Sequence, residues 1–441
     1  MNKASKKRKH SYHGESILSY FDRDGISQSS VQISDSRVAC ASLPTTKSSP
    51  LETKFKKCPF YKWIPGLSYS LSVVILVDTS ITVDAFCYND IPGCTYYFLS
   101  HFHSDHFKGI HKNFKGHIYC SEVTKNLLRD AYGLGLVISV LELEKRTLIG
   151  DVEVTALDAN HCPGSLMFIF HVLSSRKTYL HTGDFRYTPE MLAHPSSLTN
   201  YLSENSAKHL SRIHSVFLDT TYCSSQYDFP TQVDVIHGAV EITRNYLIKD
   251  PTVLVICGMY SIGKERFVHG LASELNLKVW LPSNQSRLVK LAAQGSCKVC
   301  KELLQYVVDN PHKAQLHVLP MQQLNLSGII QHQNKMGDRL RTNPFHNSFN
   351  LSRHILGWRP TGWSHRQSSN KSQISMMPLP HGIVLEQKKN NIHIYGAPYS
   401  EHSSFLELKE FITRLRPKQV QPTVFGKSIT VTKNTVNRWL E

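Results

Sequence analysis

From Cys58 onward, hydrophobic and polar positions alternate in short runs separated by turn-forming residues. The runs "TYYFLS" (95–100), "HIYCS" (117–121), "VEVTALDA" (152–159), "LMFIFHVL" (166–173), "KTYLHTGD" (177–184) and "SVFLDTTY" (215–222) each predict a strand of a layered sheet. Between them, Glu122–Ala131 and Thr231–Ile248 predict helices. A second α/β segment opens at "TVLVICG" (252–258) and runs to about Leu385; its polar middle, Gln331–Ser352, predicts a loop. "NIHIYGAPYSEHSS" (391–404) predicts a strand, a loop and a helix start. The strongest apolar run, "LSVVILV" (71–77), is far too short to span a bilayer and predicts a buried strand or an inserted segment. There is no internal repeat. A chain of 441 residues can bury a large core, so the pattern predicts two lobes and a tail.

The first 56 residues are rich in Ser, Thr, Lys and Pro and lack apolar periodicity, which predicts a disordered basic tail. Within it "KKRK" (6–9) is a candidate nuclear import signal. The island "SILSYF" (16–21) is a candidate docking peptide. Lys and Arg number 50 against 34 Asp and Glu, a formal charge of +16. That excess points to a polyanionic partner, nucleic acid before an acidic membrane. The ten cysteines have no disulfide rhythm and the start of the chain is polar and basic, so the thiols are expected reduced and the protein intracellular. Cys297 and Cys300 form a lone C-x-x-C without a second ligand pair at zinc-site spacing, and the motif reads as incidental.

The chemistry concentrates in "FLSHFHSDHFKGI" (98–110), which places His101, His103, Asp105 and His106 directly after an apolar run. Imidazole and carboxylate together bind zinc and similar divalent ions. In a turn after a strand, His101 and His103 can serve one metal while Asp105 and His106 serve a second. A two-metal site polarises a phosphoryl or carbonyl oxygen and generates hydroxide at neutral pH. Further ligands follow other strands: His161 in "LDANHCPG" and Asp184 in "LHTGDFR", with Asp184 expected to bridge the metals. Asp84 in "TVDAF" is expected to orient the cluster from behind.

In Asp84, the H-x-H-x-D-H run, His161 and Asp184, taken in this order, the chain resembles the metallo-β-lactamase superfamily. Downstream it resembles the β-CASP nucleases: Asp219 in "FLDTTY" fits their first added motif and His402 in "PYSEHSS" the second. Val424 in "QPTV" stands at the third, where DNA-processing members carry valine and RNA-processing members histidine. "CPFYKWIPG", "YFLSHFHSDHF", "LDANHCPGS", "LHTGDFR", "LDTTYC", "YSIGKE", "RPTGW" and "YGAPYSEHSS" bring it nearest to the DNA cross-link repair nucleases, the group of Artemis and Apollo, from about Cys58 to the C-terminus.

The resemblance implies an α/β protein: a four-layer αββα metallo-β-lactamase domain with an inserted α/β β-CASP cap. The corresponding division is a tail at 1–56, the first part of the metal domain at 57–245, the cap at 246–389 and a return segment at 390–441. It implies a metal-dependent 5′→3′ DNA exonuclease acting on 5′-phosphorylated ends in interstrand cross-link repair, in the nucleus and off the membrane. One or two Zn²⁺ ions are implied, the second exchangeable with Mg²⁺ or Mn²⁺. Asp219 would support the ligands, and His402 would either protonate the leaving oxygen or complete the second metal site. The alternatives are an Artemis-type endonuclease, a small-molecule hydrolase and a silent DNA- or repair-protein scaffold. Residues 67–81 look like an insertion ahead of Asp84.

Two stretches suggest DNA contacts. "GMYSIGKE" (258–265) satisfies G-x-x-x-x-G-K, but Glu265 replaces the Ser or Thr that would hold Mg²⁺, so it is not an ATPase loop. Ser261 and Lys264 there, with Thr221, are candidates for a terminal phosphate at a helix N-terminus. Arg359, Trp363 and His365 in "RPTGWSH" are candidates for backbone contact and base stacking, Trp363 equally for a core anchor. In the tail, Ile17, Tyr20 and Phe21 have the spacing of a sliding-clamp peptide, with Gly14 where glutamine is expected.

Overall fold

The structure, a computed structural model, describes residues 67–70, 73–76, 80–88, 91, 93–193, 196–202, 212–341, 354–364, 379–424 and 429–441. The tail with its import and clamp-docking candidates, and His365, lie outside them. β1 (Leu67–Ser70) and β2 (Val73–Leu76) pair with each other as an antiparallel hairpin and join no other sheet among the described residues. The described part of the apolar run, Val73–Leu76, is thus not a strand of the main sheets, and the strand leading to Asp84 takes its register from β4.

β3 (Ile81–Val83), β4 (Tyr96–Phe98), β5 (His117–Cys120) and β6 (Ile138–Val140) form a parallel sheet in chain order. β7 (Arg146–Ile149), β8 (Val152–Asp158), β9 (Leu166–Val172), β10 (Lys177–His181) and β11 (Ser215–Leu218) form a second sheet. β12 (Leu254–Met259), β13 (Val279–Trp280), β14 (Leu316–Pro320), β15 (Ile355–Pro360), β16 (Val384–Lys389) and β17 (Ile392–Ala397) form a third, in the order β13-β14-β12-β15-β17-β16. β18 (Gln419–Pro422) returns to pair with β11 in parallel and completes the second sheet. The helices are α1 (Ser104–Phe107), α2 (Glu122–Tyr132), α3 (Gln232–Lys249), α4 (Glu265–Leu275), α5 (Ser283–Gln294), α6 (Lys298–Leu304), α7 (Leu326–Arg341), α8 (Phe405–Leu415) and α9 (Ile429–Asn437). None is long and apolar enough to cross a membrane.

Period-two alternation sorts the strand side chains into layers. Val83, Phe98, Tyr119, Phe168, Phe170 and Phe217 meet between the first two sheets. Met167, Ile169, Leu180, Val216 and Leu218 face the other way, onto Leu408, Phe411 and Ile412 of α8 and Val436 of α9. Tyr97, Ile118 and Cys120 pack outward under Val123 and Leu127 of α2. This is the expected αββα sandwich. The same outer core runs without a break into the third sheet and its helices, through Val255, Phe267, Leu271, Leu288 and Trp358, so sandwich and cap share one apolar seam. At that seam, a Cβ on Gly295 would sit 2.7 Å from the Val123 backbone, so the close approach requires glycine.

Two readings change. The polar stretch from Gln331 is helical as far as Arg341, because Ile329, His332 and Met336 recur at helical spacing and are buried on one face of α7. β17, placed by the sequence division in the return segment, pairs with β15 and β16 in the cap sheet, so the chain crosses back after Ala397. Phe98 is fully buried and packs edge-on against Phe168 and Phe170 at 5.3 and 5.0 Å. Phe98→Ala should cost about 3–5 kcal/mol of stability, read as a lowered midpoint of chemical denaturation.

Candidate metal centre

The candidate ligands leave the sandwich from one edge. β4 leads through Ser100 into His101, His103 and α1, which carries Asp105 and His106. The turns after β8, β10 and β11 carry His161, Asp184 and Asp219, and the loop after β17 carries His402. Gly183 (φ +54°) lies so close that a Cβ there would meet Ser100 Cβ at 2.8 Å, and this contact places the following Asp184 against the histidines.

Each histidine has one ring nitrogen tied outward. His101 Nδ1 lies 2.9 Å from Ser100 Oγ, which itself donates to Asp84 Oδ2 at 2.7 Å. His106 Nδ1 donates to the same Oδ2 at 2.7 Å, His161 Nδ1 to the Glu401 carbonyl at 2.8 Å, and His103 Nε2 to the Ile262 carbonyl at 3.0 Å. With the outward nitrogens as donors, the remaining nitrogens of His101, His103 and His161 are bare lone pairs that face one another, and His106 Nε2 points into the same space. His103 Nδ1 lies 2.9 Å from His101 Nε2 and 3.1 Å from His161 Nε2. Asp184 Oδ2 lies 3.2 Å from His106 Nε2, 3.6 Å from His101 Nε2 and 3.8 Å from His161 Nε2, and Asp105 Oδ2 lies 3.4 Å from His106 Nε2. Lone pairs at such separations repel unless a cation lies among them, and tetrahedral zinc with bonds of about 2.0–2.1 Å to nitrogen spaces its ligands at roughly this distance. The donor set therefore fits divalent metal.

The electrostatics agree at His101 and His161. Burial and the neighbouring imidazoles push His101 well below its ordinary value, and burial and His402 do the same for His161, which keeps both rings neutral as ligation requires. At His106 burial opposes charge, but Asp184, Asp105 and Asp84 outweigh it and hold the imidazole well above its ordinary value, with a proton that a bound metal would displace. Burial opposes charge on Asp184, but His106 outweighs it and pulls the carboxyl to about 2. Asp84 accepts from Ser100 N at 2.8 Å and adopts a left-handed backbone (φ +53°), tolerable for aspartate, that turns its carboxylate under the cluster.

Asp219 accepts from His402 Nδ1 at 2.7 Å, from Phe185 N at 3.2 Å and from the Thr221 amide and hydroxyl at 3.0 and 2.6 Å. Burial opposes protonation of His402, but Asp219 outweighs it and raises the imidazole to about 9. The other end of His402 faces His161 and Asp184. A cavity of about 430 Å³ opens over the cluster, walled by Thr221, Tyr222, Tyr260, Ser261, Lys264 and Trp363. Trp363 is half exposed there and lies 5.2 Å from the Tyr222 ring, so it is a cavity wall.

The phosphate cradle expected at "GMYSIGKE" is filled from within. The Glu265 carboxylate accepts from Gly263 N at 2.9 and 3.0 Å, at the N-terminus of its own helix α4. Burial and then Glu401 raise Glu265 to about 8. Lys264 lies on the cavity wall but is buried, its Nζ 3.0 Å from Glu401 Oε2 and its backbone N–H donating to Glu401 Oε1 at 2.8 Å. Arg359 is not on that wall; it pairs with Glu386 at 3.1 Å, because the two face each other within the cap.

Three participants went unseen in the sequence. Ser100 links Asp84 to His101. Glu401 links Lys264 to His161. Buried Arg186 donates to the Ser400 and His402 carbonyls and to Glu407 at 2.7 Å, tying the Asp184 turn to the His402 loop. The signals were adjacency alone: Arg186 ends "LHTGDFR" and Glu401 precedes His402.

An αββα sandwich with imidazole and carboxylate donors gathered at one strand edge is the architecture of a metallo-β-lactamase-type metal protein. Residues 301–428 match the model of the family described as DNA repair metallo-beta-lactamase. The chain is 39% identical over 371 residues to the DNA cross-link repair 1A protein of Homo sapiens, covering 84% of this chain and 31% of that protein. It is 37% identical to the DNA cross-link repair protein SNM1 of Arabidopsis thaliana (84% and 66% covered) and 29% identical to the 5′ exonuclease Apollo of Rattus norvegicus (80% and 54%). The chain spans about a third of the length of the human relative. It belongs to the DNA repair metallo-β-lactamase family.

Lys264 and Glu401 are both 5% exposed, so removing one partner strands a buried charge. Lys264→Met should destabilise the metal-free protein by about 3–5 kcal/mol, and adding Glu401→Gln should recover a substantial part. Denaturant unfolding of the two variants checks this; equal stability of wild type and Lys264→Met would refute the pairing.

Proposed function

We propose that the protein is a metal-dependent 5′→3′ DNA exonuclease that removes nucleotides from 5′-phosphorylated ends during interstrand cross-link repair. The observation that carries the proposal is the convergence of the inward ring nitrogens of four histidines and the Asp184 carboxylate beneath an open cavity. Relatives named for DNA cross-link repair, and one named as a 5′ exonuclease, support DNA as the substrate. The charge of +16 and Val424 point the same way.

His101, His103, His161 and Asp184 would hold one ion, and the imidazole-rich set suits Zn²⁺. Asp105, His106 and Asp184 would hold a second; its carboxylate share also accepts Mg²⁺ or Mn²⁺. Bound divalent ions supply Lewis acidity to a phosphoryl oxygen and acidify water. The chain supplies the rest. Asp84 and Ser100 fix His106 and His101 by their outer nitrogens. His402, kept protonated by Asp219, is the proton donor to the leaving oxygen. Ser261 offers a hydroxyl to the terminal phosphate, with Lys264 behind it and Thr221, whose own hydroxyl is given to Asp219, beside it, and Tyr260 and Trp363 offer ring faces to the terminal bases.

The test offers the purified protein 5′-phosphorylated DNA, 5′-hydroxyl DNA, RNA and a β-lactam, each with and without a chelator. The expected result is chelator-sensitive digestion of the phosphorylated DNA ahead of the rest. The Asp105→Ala, His106→Ala double variant should lose this activity while keeping its fold and part of its metal. Near-wild-type cleavage by it would overturn the site assignment.

For the tail we propose a nuclear address through Lys6–Lys9 and docking on the replication sliding clamp through Ile17, Tyr20 and Phe21. A peptide of residues 12–25 should bind the clamp with modest affinity and lose binding with Tyr20→Ala, Phe21→Ala. Equal binding of both peptides would remove the docking role.

A further inference from the structure

The C-x-x-C pair takes no part in the chemistry above, yet the structure builds a site around it. Ser296 is held in the left-handed region (φ +71°), an uncommon state for serine, immediately before Cys297. The turn is fastened by Gly295 N to Leu291 O at 3.0 Å, Ser296 N to Ala293 O at 3.2 Å and Cys297 N to Ala292 O at 3.1 Å. Gly295 is wedged against the Val123 backbone of the sandwich. This fixed turn sets Cys297 at the N-cap of α6, with Cys300 three residues on and on the same face of the helix, the spacing at which side chains are neighbours. Cys297 is partly exposed and lines a second cavity of about 690 Å³ between sandwich and cap, whereas Cys300 is fully buried beneath it. Among the described residues the pair joins no group of three metal-ligating atoms, so it is a dithiol and not half a zinc site.

We infer that Cys297 and Cys300 form a reversible thiol–disulfide pair, oxidised by a hydroperoxide that enters the cavity between sandwich and cap. Cys297 is the attacking sulfur because it is the reachable one. The neighbouring Cys300 thiol, then the amides of Cys300 and Val299, favour thiolate and hold the thiol at about 7, against burial and the charge of Asp158. Cys300, bonded to Cys297 and buried, is pushed up and stays protonated until a partner forms. The Cys297 thiolate attacks the peroxide; the O–O bond breaks, Cys297 becomes a sulfenic acid, and the released hydroxide takes up the proton that thiol lost. The Cys300 sulfur then attacks Cys297 sulfur, the S–S bond forms, the S–O bond breaks, and the Cys300 proton leaves in a second water. Two thiols and one peroxide give one disulfide and two waters, with two electrons passing from sulfur to oxygen. Cys162, behind the same cavity, is buried, and its sulfur lies with His101, His103 and His161 in the candidate metal cluster, so it does not compete.

The test uses the full chain. The protein is titrated with hydrogen peroxide, free thiols are capped with N-ethylmaleimide, and peptides are mapped by mass spectrometry. The expected product is an internal Cys297–Cys300 disulfide, formed before any other thiol is modified and reversed by dithiothreitol. Cys300→Ser should trap Cys297 as a sulfenic acid that dimedone captures, while Cys297→Ser should leave Cys300 unmodified. Serine nearly preserves volume, and circular dichroism confirms that both variants fold. Oxidation of other cysteines first, a Cys297–Cys162 bond, or no dimedone adduct in Cys300→Ser would each overturn the inference.

Discussion

A carboxylate buried at the junction of two lobes must be paired or it destabilises the fold by several kcal/mol. Glu401 is that carboxylate. Its side chain takes both the ammonium and the backbone N–H of Lys264 from the cap, and its carbonyl takes Nδ1 of His161 from the sandwich. Two residues before Lys264, the Ile262 carbonyl takes Nε2 of His103. The Ile262–Lys264 loop of the cap therefore orients His103 directly and His161 through its hold on Glu401. Glu265, next along, is neutralised by burial and closes the start of α4, which keeps a second negative charge away from Glu401.

The sandwich supplies the other half of the restraint. Alternation along β4 sends Tyr97 to the outer core and Phe98 to the inner one, so the chain leaves the sheet in a fixed orientation at Ser100. Asp84, from the neighbouring strand end, then takes Ser100 and His106 together. His101 and His106 are oriented by the sandwich, His103 by the cap and His161 by the Glu401 loop that the cap's Lys264 holds, and Asp184 lies between the two sets. Metal affinity in this arrangement depends on docking of the cap as well as on the ligands themselves.

Much of this was legible in the sequence because its signals are local. The strands at 95–100, 117–121 and 166–173 alternate cleanly, and the H-x-H-x-D-H run concentrates ligands within six residues. What stayed hidden depends on distant contacts. The partner of His161 lies 240 residues away at Glu401, and that of Lys264 lies 137 residues away. Spacing alone suggested that the start of α4 would face an anion; the acceptor it meets is the side chain of its own Glu265. Arg359 looked free because Glu386 lies on a different strand of the cap. The stripe on α7 was masked by its histidine and glutamine, which are polar in name but buried in place.

The division of labour between cap and sandwich is tested most directly by zinc affinity, measured by competition with a chromophoric chelator, in wild type and in the Lys264→Met, Glu401→Gln double variant. That variant removes the cap's ionic hold on the His161 loop while keeping every ligand and leaving no buried charge unpaired. The account predicts zinc binding weaker by about 10–100-fold, the range for losing a group that orients a ligand. Unchanged affinity in a folded variant would contradict it, and would mean that the sandwich alone organises the metal centre.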